Sequence, residues 1–194
     1  MVLSNLKVCE VTERSALELI EIFQRTPYRF MYESDIQALL FSKIRESIPD
    51  SLYIEGTGHP LDQYEVSVVH TEYWRRIDVA CLDVERVRTQ KTRVHMGMDV
   101  HIYELPVLIG IELKYRKLGD RFGLEACISD FDKLISLDIE SPLVFGFIQN
   151  DQDVESFFSV NLSDYAVVEV DLLKPLEKIN IISPTKRWTI TVNS

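Results

Sequence analysis

The sequence predicts an α/β fold, a central mixed sheet of about five or more strands flanked by helices. Three observations point there. Two N-terminal segments carry apolar residues at helical spacing. Several short, nearly continuous apolar runs follow, and one more helical segment separates two of them. That coarse order, α-α-β-β-β-α-β with further β, suits a sheet covered by helices.

The first helix is expected over Thr12 to Gln24, with Ala16, Leu19, Ile20 and Phe23 on one stripe and Thr12 as N-cap. Pro27 and the aromatic cluster Tyr28, Phe30 and Tyr32 interrupt the chain, and suit either core packing or stacking on bases or a partner. A second helix is expected from about Glu33 to Ser47, burying Ile36, Leu40, Ile44 and Ile48 with Leu39 beside them, and ended by Pro49-Asp50. Residues 55 to 63 read as a loop, and Val66 to Val69 can open a strand. Trp74 to Asp83 and Val107 to Tyr115 are the first two firm strands. Between them lie a polar stretch, Glu85 to Gly97, and an alternating segment, Met98 to Glu104, that suggests another strand. Leu124 to Ile139 reads as a helix with Ile128, Phe131, Leu134, Ile135 and Ile139 inward. Pro142 to Ile148 is apolar enough for a strand covered on both faces. Ala166 to Leu172 and Arg187 to Val192 are late strands.

A length of 194 residues fits one domain with a sizeable core. No apolar run reaches the roughly 18 residues of a membrane span, and Met-Val-Leu-Ser-Asn-Leu-Lys has no signal-peptide pattern. A cytoplasmic location is expected, with no membrane partner. Cys9, Cys81 and Cys127 are an odd number with no short spacing, which argues against a disulfide framework or a zinc site and fits a reducing compartment. The net charge of −10 argues against tight, stand-alone binding to a polyanion and leaves room for a partner protein that supplies nucleic-acid affinity.

Chemistry concentrates on Asp78, Glu112 and Lys114. Charges inside apolar strands are costly to desolvate unless something pairs with them. Residues two apart on a strand share a face, so Glu112 and Lys114 project together. Two carboxylates beside a lysine describe a site for a divalent cation and an attacking water; the same trio also suits a structural ion pair. The helix bearing Glu33, the strand bearing Asp78, and the strand with Glu112-Leu113-Lys114 followed by helix and buried strand resemble the PD-(D/E)XK, or restriction-endonuclease-like, nuclease superfamily. The resemblance covers about residues 30 to 150. It makes the N-terminal helix and the C-terminal strands additions to an αβββαβ core. Ile77 stands where the motif's proline falls, and the 34 positions from Asp78 to Glu112 imply a hairpin insertion.

The resemblance implies Mg²⁺- or Mn²⁺-dependent hydrolysis of DNA phosphodiesters, RNA not excluded. Asp78, Glu112 and the Leu113 carbonyl become metal ligands, Lys114 the catalytic lysine and Glu33 an auxiliary acid. Arg86, Arg88, Lys91 and Arg93, with Arg76, Arg116 and Lys117 beside the site strands, can form a basic rim for phosphates. Cutting both strands of a duplex needs two sites, so a homodimer is a reasonable arrangement, with the strands from Ala166 onward either at its interface or extending the sheet. The alternative function is a non-catalytic interaction or assembly module that keeps the nuclease fold.

Overall fold

The computed structural model describes residues 3–49, 51–57, 63–89, 92–93, 105–159, 165–171 and 176–192. The chain is a mixed α/β protein in which helices flank a seven-stranded mixed sheet.

Helix α1 spans Asn5–Arg25 and starts a full two turns before the expected Thr12. Val8 and Val11 continue its buried stripe towards the N-terminus, and the Ser4 side chain caps it by accepting from the Lys7 N–H. Thr12 is therefore a buried mid-helix residue, its Oγ1 3.5 Å from Cys81 Sγ. A 3-10 turn at Pro27–Arg29 leads to α2, Glu33–Ser47, whose stripe Ile36, Leu40, Ile44 and Ile48 is buried as expected.

Strands β1 (Ser51–Thr57) and β2 (Gln63–Ser67) form an antiparallel hairpin, and β5 (Thr92–Arg93) pairs in parallel with β1. The expected loop over 55 to 63 thus begins inside β1 and ends inside β2; residues 58–62 lie outside the described residues. So does the strand expected over Met98 to Glu104.

The large sheet contains β3 (Val69–Tyr73), β4 (Ile77–Leu82), β6 (Val107–Arg116), β7 (Ser141–Ile148), β8 (Tyr165–Glu169), β9 (Ile179–Ile182) and β10 (Arg187–Val192). Their order is β3-β4-β6-β7-β9-β10-β8. β3, β4 and β6 are an antiparallel meander. β7 joins β6 in parallel, after the crossover helix α4 (Leu124–Ser136), and β9 joins β7 in parallel. β10 and β8 close the order antiparallel, so the late strands extend the sheet.

The strand expected over Trp74 to Asp83 shortens at both ends for local reasons. Trp74, Arg75 and Arg76 are a turn, with Arg75 and Arg76 at φ 62° and 59°, so β4 starts at Ile77. Asp83 leaves the sheet to cap α3 (Val84–Thr89), its Oδ1 accepting from the Glu85 and Arg86 N–H groups. The polar stretch from Glu85 therefore begins as a helix. α4 stops at Ser136, leaving Ile135 half exposed on its outer side while Ile139 packs inward from the following turn. A four-residue helix, α5 (Val154–Phe157), follows β7.

Alternate residues of β6 and β7 meet different helices. On one face Phe23 of α1 packs its ring 4.9 Å from Phe147 and 6.3 Å from Tyr115, both edge to face. On the other, Gly110 and Gly146 let α4 come close. A Cβ on Gly110 would stand 2.7 Å from Ile139 Cδ1, and one on Gly146 3.0 Å from Cys127 Sγ. Among the described residues no helix is long and apolar enough to cross a membrane.

Candidate active site

The register Val79↔Ile111 and Ala80↔Gly110, carried one residue further, sets Asp78 opposite Glu112. Cross-strand partners share a face, so Asp78, Glu112 and Lys114 project together on the α4 side of the sheet. Asp78 stands one residue beyond the paired stretch, tied to β6 by its side chain at the Leu113 N–H, and its charge acts on both Glu112 and Lys114.

Each carboxylate is held by the fold. Asp78 Oδ2 accepts from the Leu113 N–H at 2.7 Å. The Gln37 amide, from α2, donates to the Asp78 carbonyl at 2.8 Å and to Glu72 at 3.0 Å. Glu33, at the start of α2, reaches the far end of β6, where its Oε2 accepts from the Tyr115 N–H at 3.0 Å. Glu112 is buried and accepts from Lys133 Nζ at 2.6 Å. Lys114 Nζ lies 2.6 Å from Asp130 Oδ2 and donates to the Leu113 carbonyl at 3.3 Å.

Asp130 and Lys133 are the site residues that sequence reasoning missed. Both lie on α4, one turn apart, beside the buried Phe131 and Leu134. The available signal was two opposite charges bordering an apolar stripe, on the helix that follows the Glu112-Leu113-Lys114 strand.

The electrostatics are those of a partly desolvated acid cluster. Burial pushes the Glu112 carboxyl up to about 7, and the Asp78 charge adds to it against the Lys133 hydrogen bond. Burial also raises Asp78 and Glu33, opposed by the Lys114 charge and by the Leu113 or Tyr115 N–H. For Lys114, burial works downward, but Asp130, Glu33 and Asp78 together outweigh it and hold the ammonium above its usual range. Lys114 is thus kept protonated.

The basic rim divides. Arg76 is exposed in the turn before β4, and its carbonyl accepts from Lys133 Nζ at 3.1 Å. Lys117 follows β6, with Nζ 4.9 Å from the Tyr32 ring centroid. Arg86 stands beyond the other end of β4, whose last residue, Leu82, is four residues or roughly 13 Å along the strand from Asp78, and its side chain has Asp83 at 3.9 Å. Arg116 does not join the rim. It is buried under Phe157 and donates to the Phe122 carbonyl and Ser156 Oγ, both at 2.6 Å, so its charge is committed to packing α5 on the sheet. The Arg88 and Arg93 side chains and all of Lys91 lie outside the described residues.

Among the described residues no three His, Cys, Asp or Glu side chains converge to hold a metal ion. Asp78 and Glu112, the two carboxylates expected as ligands, feel each other's charge, and the Leu113 carbonyl accepts from Lys114 Nζ. Phe30 is core, whereas Tyr28 and Tyr32 are exposed. Cys81 and Cys127 are buried, and burial drives both thiols upward, away from nucleophile chemistry. Comparison with protein-family models, with curated proteins and with solved structures finds no match to this chain.

Proposed function

We propose that the chain is a divalent-metal-dependent nuclease of restriction-endonuclease-like architecture that hydrolyses DNA phosphodiesters. The observation that carries the reading is the common face of Asp78, Glu112 and Lys114 on adjacent strands. With the small sheet β1-β2-β5 and α3 taken as insertions, α2, β3, β4, β6, α4 and β7 support it, because an antiparallel meander, a helix and a parallel strand are what the αβββαβ core requires.

The donor set fits a hard cation. Mg²⁺ takes one or two carboxylates and completes its shell with water and substrate phosphate oxygens. Asp78, Glu112 and the Leu113 carbonyl would hold it. Positive charge already suits this position: the Lys133 ammonium lies 2.6 Å from Glu112 and 3.1 Å from the Arg76 carbonyl. When bound, such an ion lowers the pKa of water and neutralises phosphate charge.

The chain's own groups do the rest. Lys114, protonated, stabilises negative charge developing on the phosphate and orients the attacking water, which is electrostatic work and not base work. Asp130 fixes the direction of that ammonium. Glu33, anchored by Tyr115, faces the Lys114 charge and holds water at the end of β6.

The test is incubation of plasmid and single-stranded DNA with Mg²⁺ or Mn²⁺, comparing wild type with Asp78→Ala and Lys114→Ala. Wild type nicks, and each variant loses about 100-fold or more. Equal nicking by all three, or by none, sinks the proposal. RNA run in parallel decides the sugar.

One observation favours the alternative, an interaction module on the same fold. Glu112 with Lys133 and Lys114 with Asp130 satisfy four charges internally. On that reading Asp78→Ala alters stability and leaves no nicking to lose.

A further inference from the structure

We propose that a cavity along β3, walled by His70, Tyr73 and Trp74 and lined by Glu72, binds the Watson–Crick edge of an unpaired guanine in the strand presented to the site. This rests on the nuclease reading and names the base which that reading leaves open.

The cavity has a volume of about 380 Å³ and is lined by Val66, His70, Glu72, Tyr73, Trp74 and Leu105. Small-molecule sites run from roughly 300 to 1,000 Å³, so one base with its sugar fits. Printed contacts join it to the site. The pairs Thr71↔Val79 and Tyr73↔Ile77 bracket Glu72 and set it opposite Asp78 on the neighbouring strand. Opposed residues on antiparallel strands stand about 4.5–5.5 Å apart at Cα. The Gln37 amide links the two, donating to Glu72 Oε1 at 3.0 Å and to the Asp78 carbonyl at 2.8 Å.

The walls are set in advance. The His70 ring lies 5.1 Å from the Tyr73 ring. The Tyr73 hydroxyl accepts from the Leu105 N–H at 2.8 Å, which fixes the opposite side. His70 Nε2 lies 2.8 Å from the Ser67 carbonyl. A carbonyl only accepts, so Nε2 carries the proton and Nδ1 is an acceptor. Burial pushes the His70 pKa down, which keeps the ring neutral. Groups held this way lose little freedom when a ligand arrives.

The donor pattern selects the occupant. Both ionisable groups of the lining are acceptors. A carboxylate accepts through two oxygens, and Gln37 takes one position on them. Guanine alone among the bases presents two adjacent donors, N1–H and N2–H, on its Watson–Crick edge. Adenine and cytosine set a ring acceptor beside the amino donor, and thymine flanks its N–H with two carbonyls, so each turns a lone pair on Glu72. That edge is read only when the base is unpaired. Trp74 offers a face on which any base stacks, so the ring supplies affinity and Glu72 the choice. A guanidinium also carries paired donors, but it fills only a fraction of this volume.

The experiment is equilibrium dialysis of labelled deoxynucleosides in EDTA, where neither phosphate nor metal contributes. Deoxyguanosine binds about tenfold or more tightly than deoxyadenosine, deoxycytidine and thymidine. Glu72→Gln brings it down to their level, Trp74→Ala weakens it roughly tenfold, and Trp74→Phe keeps it. Glu72 is exposed, so Glu72→Gln melts with wild type. On single-stranded DNA with Mn²⁺, the ends cut by wild type map beside guanine, and those cut by Glu72→Gln do not. No nucleoside binding, equal affinity for all four, a guanine preference that survives in Glu72→Gln, or wild-type ends without base preference overturns the proposal. So does tighter binding of N-acetylarginine amide, which assigns the cavity to a guanidinium of a protein partner. Deoxyguanosine bound in a protein that nicks nothing upholds the cavity and overturns the nuclease reading, so the two failures are distinct.

Discussion

Lys133 on α4 donates to the buried carboxylate of Glu112 on β6 across 2.6 Å, in the field where a divalent cation is proposed to sit. The ammonium and the proposed ion would compete for the Glu112 carboxylate.

Lys133→Met therefore separates structure from function. Without metal, the variant loses about 1–2 kcal/mol, less than the roughly 3–5 of a fully buried pair because Lys133 is partly exposed. Urea denaturation reads that loss. Mn²⁺ titration calorimetry then shows tighter binding than wild type. Unchanged or weaker Mn²⁺ binding removes the competition.

Stability of the metal-free protein falls as pH rises. Glu112 ionises near 7 in the folded state against an ordinary 4.5. Between those values the folded protein keeps a proton that the unfolded chain has released. The slope for this group is at most about 1.4 kcal/mol per pH unit. Glu33 and Asp78, raised in the same direction, steepen it. Urea midpoints across this range check the sign, and Glu112→Gln flattens the profile. Mn²⁺ affinity runs the opposite way, rising with pH as protons leave the carboxylates.

Arg116→Ala tests the division of the basic rim. It strips partners from the Phe122 carbonyl and Ser156 and empties the space over Phe157, at a cost of about 2–4 kcal/mol. Thermal denaturation shows the loss. Arg76→Ala, in an exposed turn, leaves the melt unchanged.

Gly110→Ala forces Ile139 and Leu134 away from β6 and costs about 1–3 kcal/mol. Adding Ile139→Ala recovers part of that loss, so the double variant is more stable than the sum of the singles. Strict additivity in chemical denaturation contradicts the contact.

The sequence made some of this legible and not the rest. The stripe of α2 and the apolar runs of β6 and β7 stand out because burial there follows one period without interruption. The start of α1 was obscured by polar residues between Val8 and Ala16. The turn at Trp74–Arg76 was hidden because arginine seldom adopts positive φ. β9, at four residues, was too short to register. Asp78, Glu112 and Lys114 were visible as charges in apolar strands. Their partners Asp130 and Lys133 carried only the weaker signal of opposite charges bordering an apolar stripe, because a helix charge does not say what it meets across a crossover. Arg116 looked like a strand-end charge and is buried because α5 folds over it.

The meander and its parallel extension also constrain when the site comes into being. Glu33, Asp78, Glu112 and Lys133 arrive on four separate segments, and β6 is walled on one side by β7, which is itself flanked by β9. Parallel pairing across a crossover is slow, because distant segments must meet before any contact rewards them. The ribosome must therefore deliver the chain through Ile148 before β6 has both of its neighbours, and the surroundings of Glu112 are complete only after that.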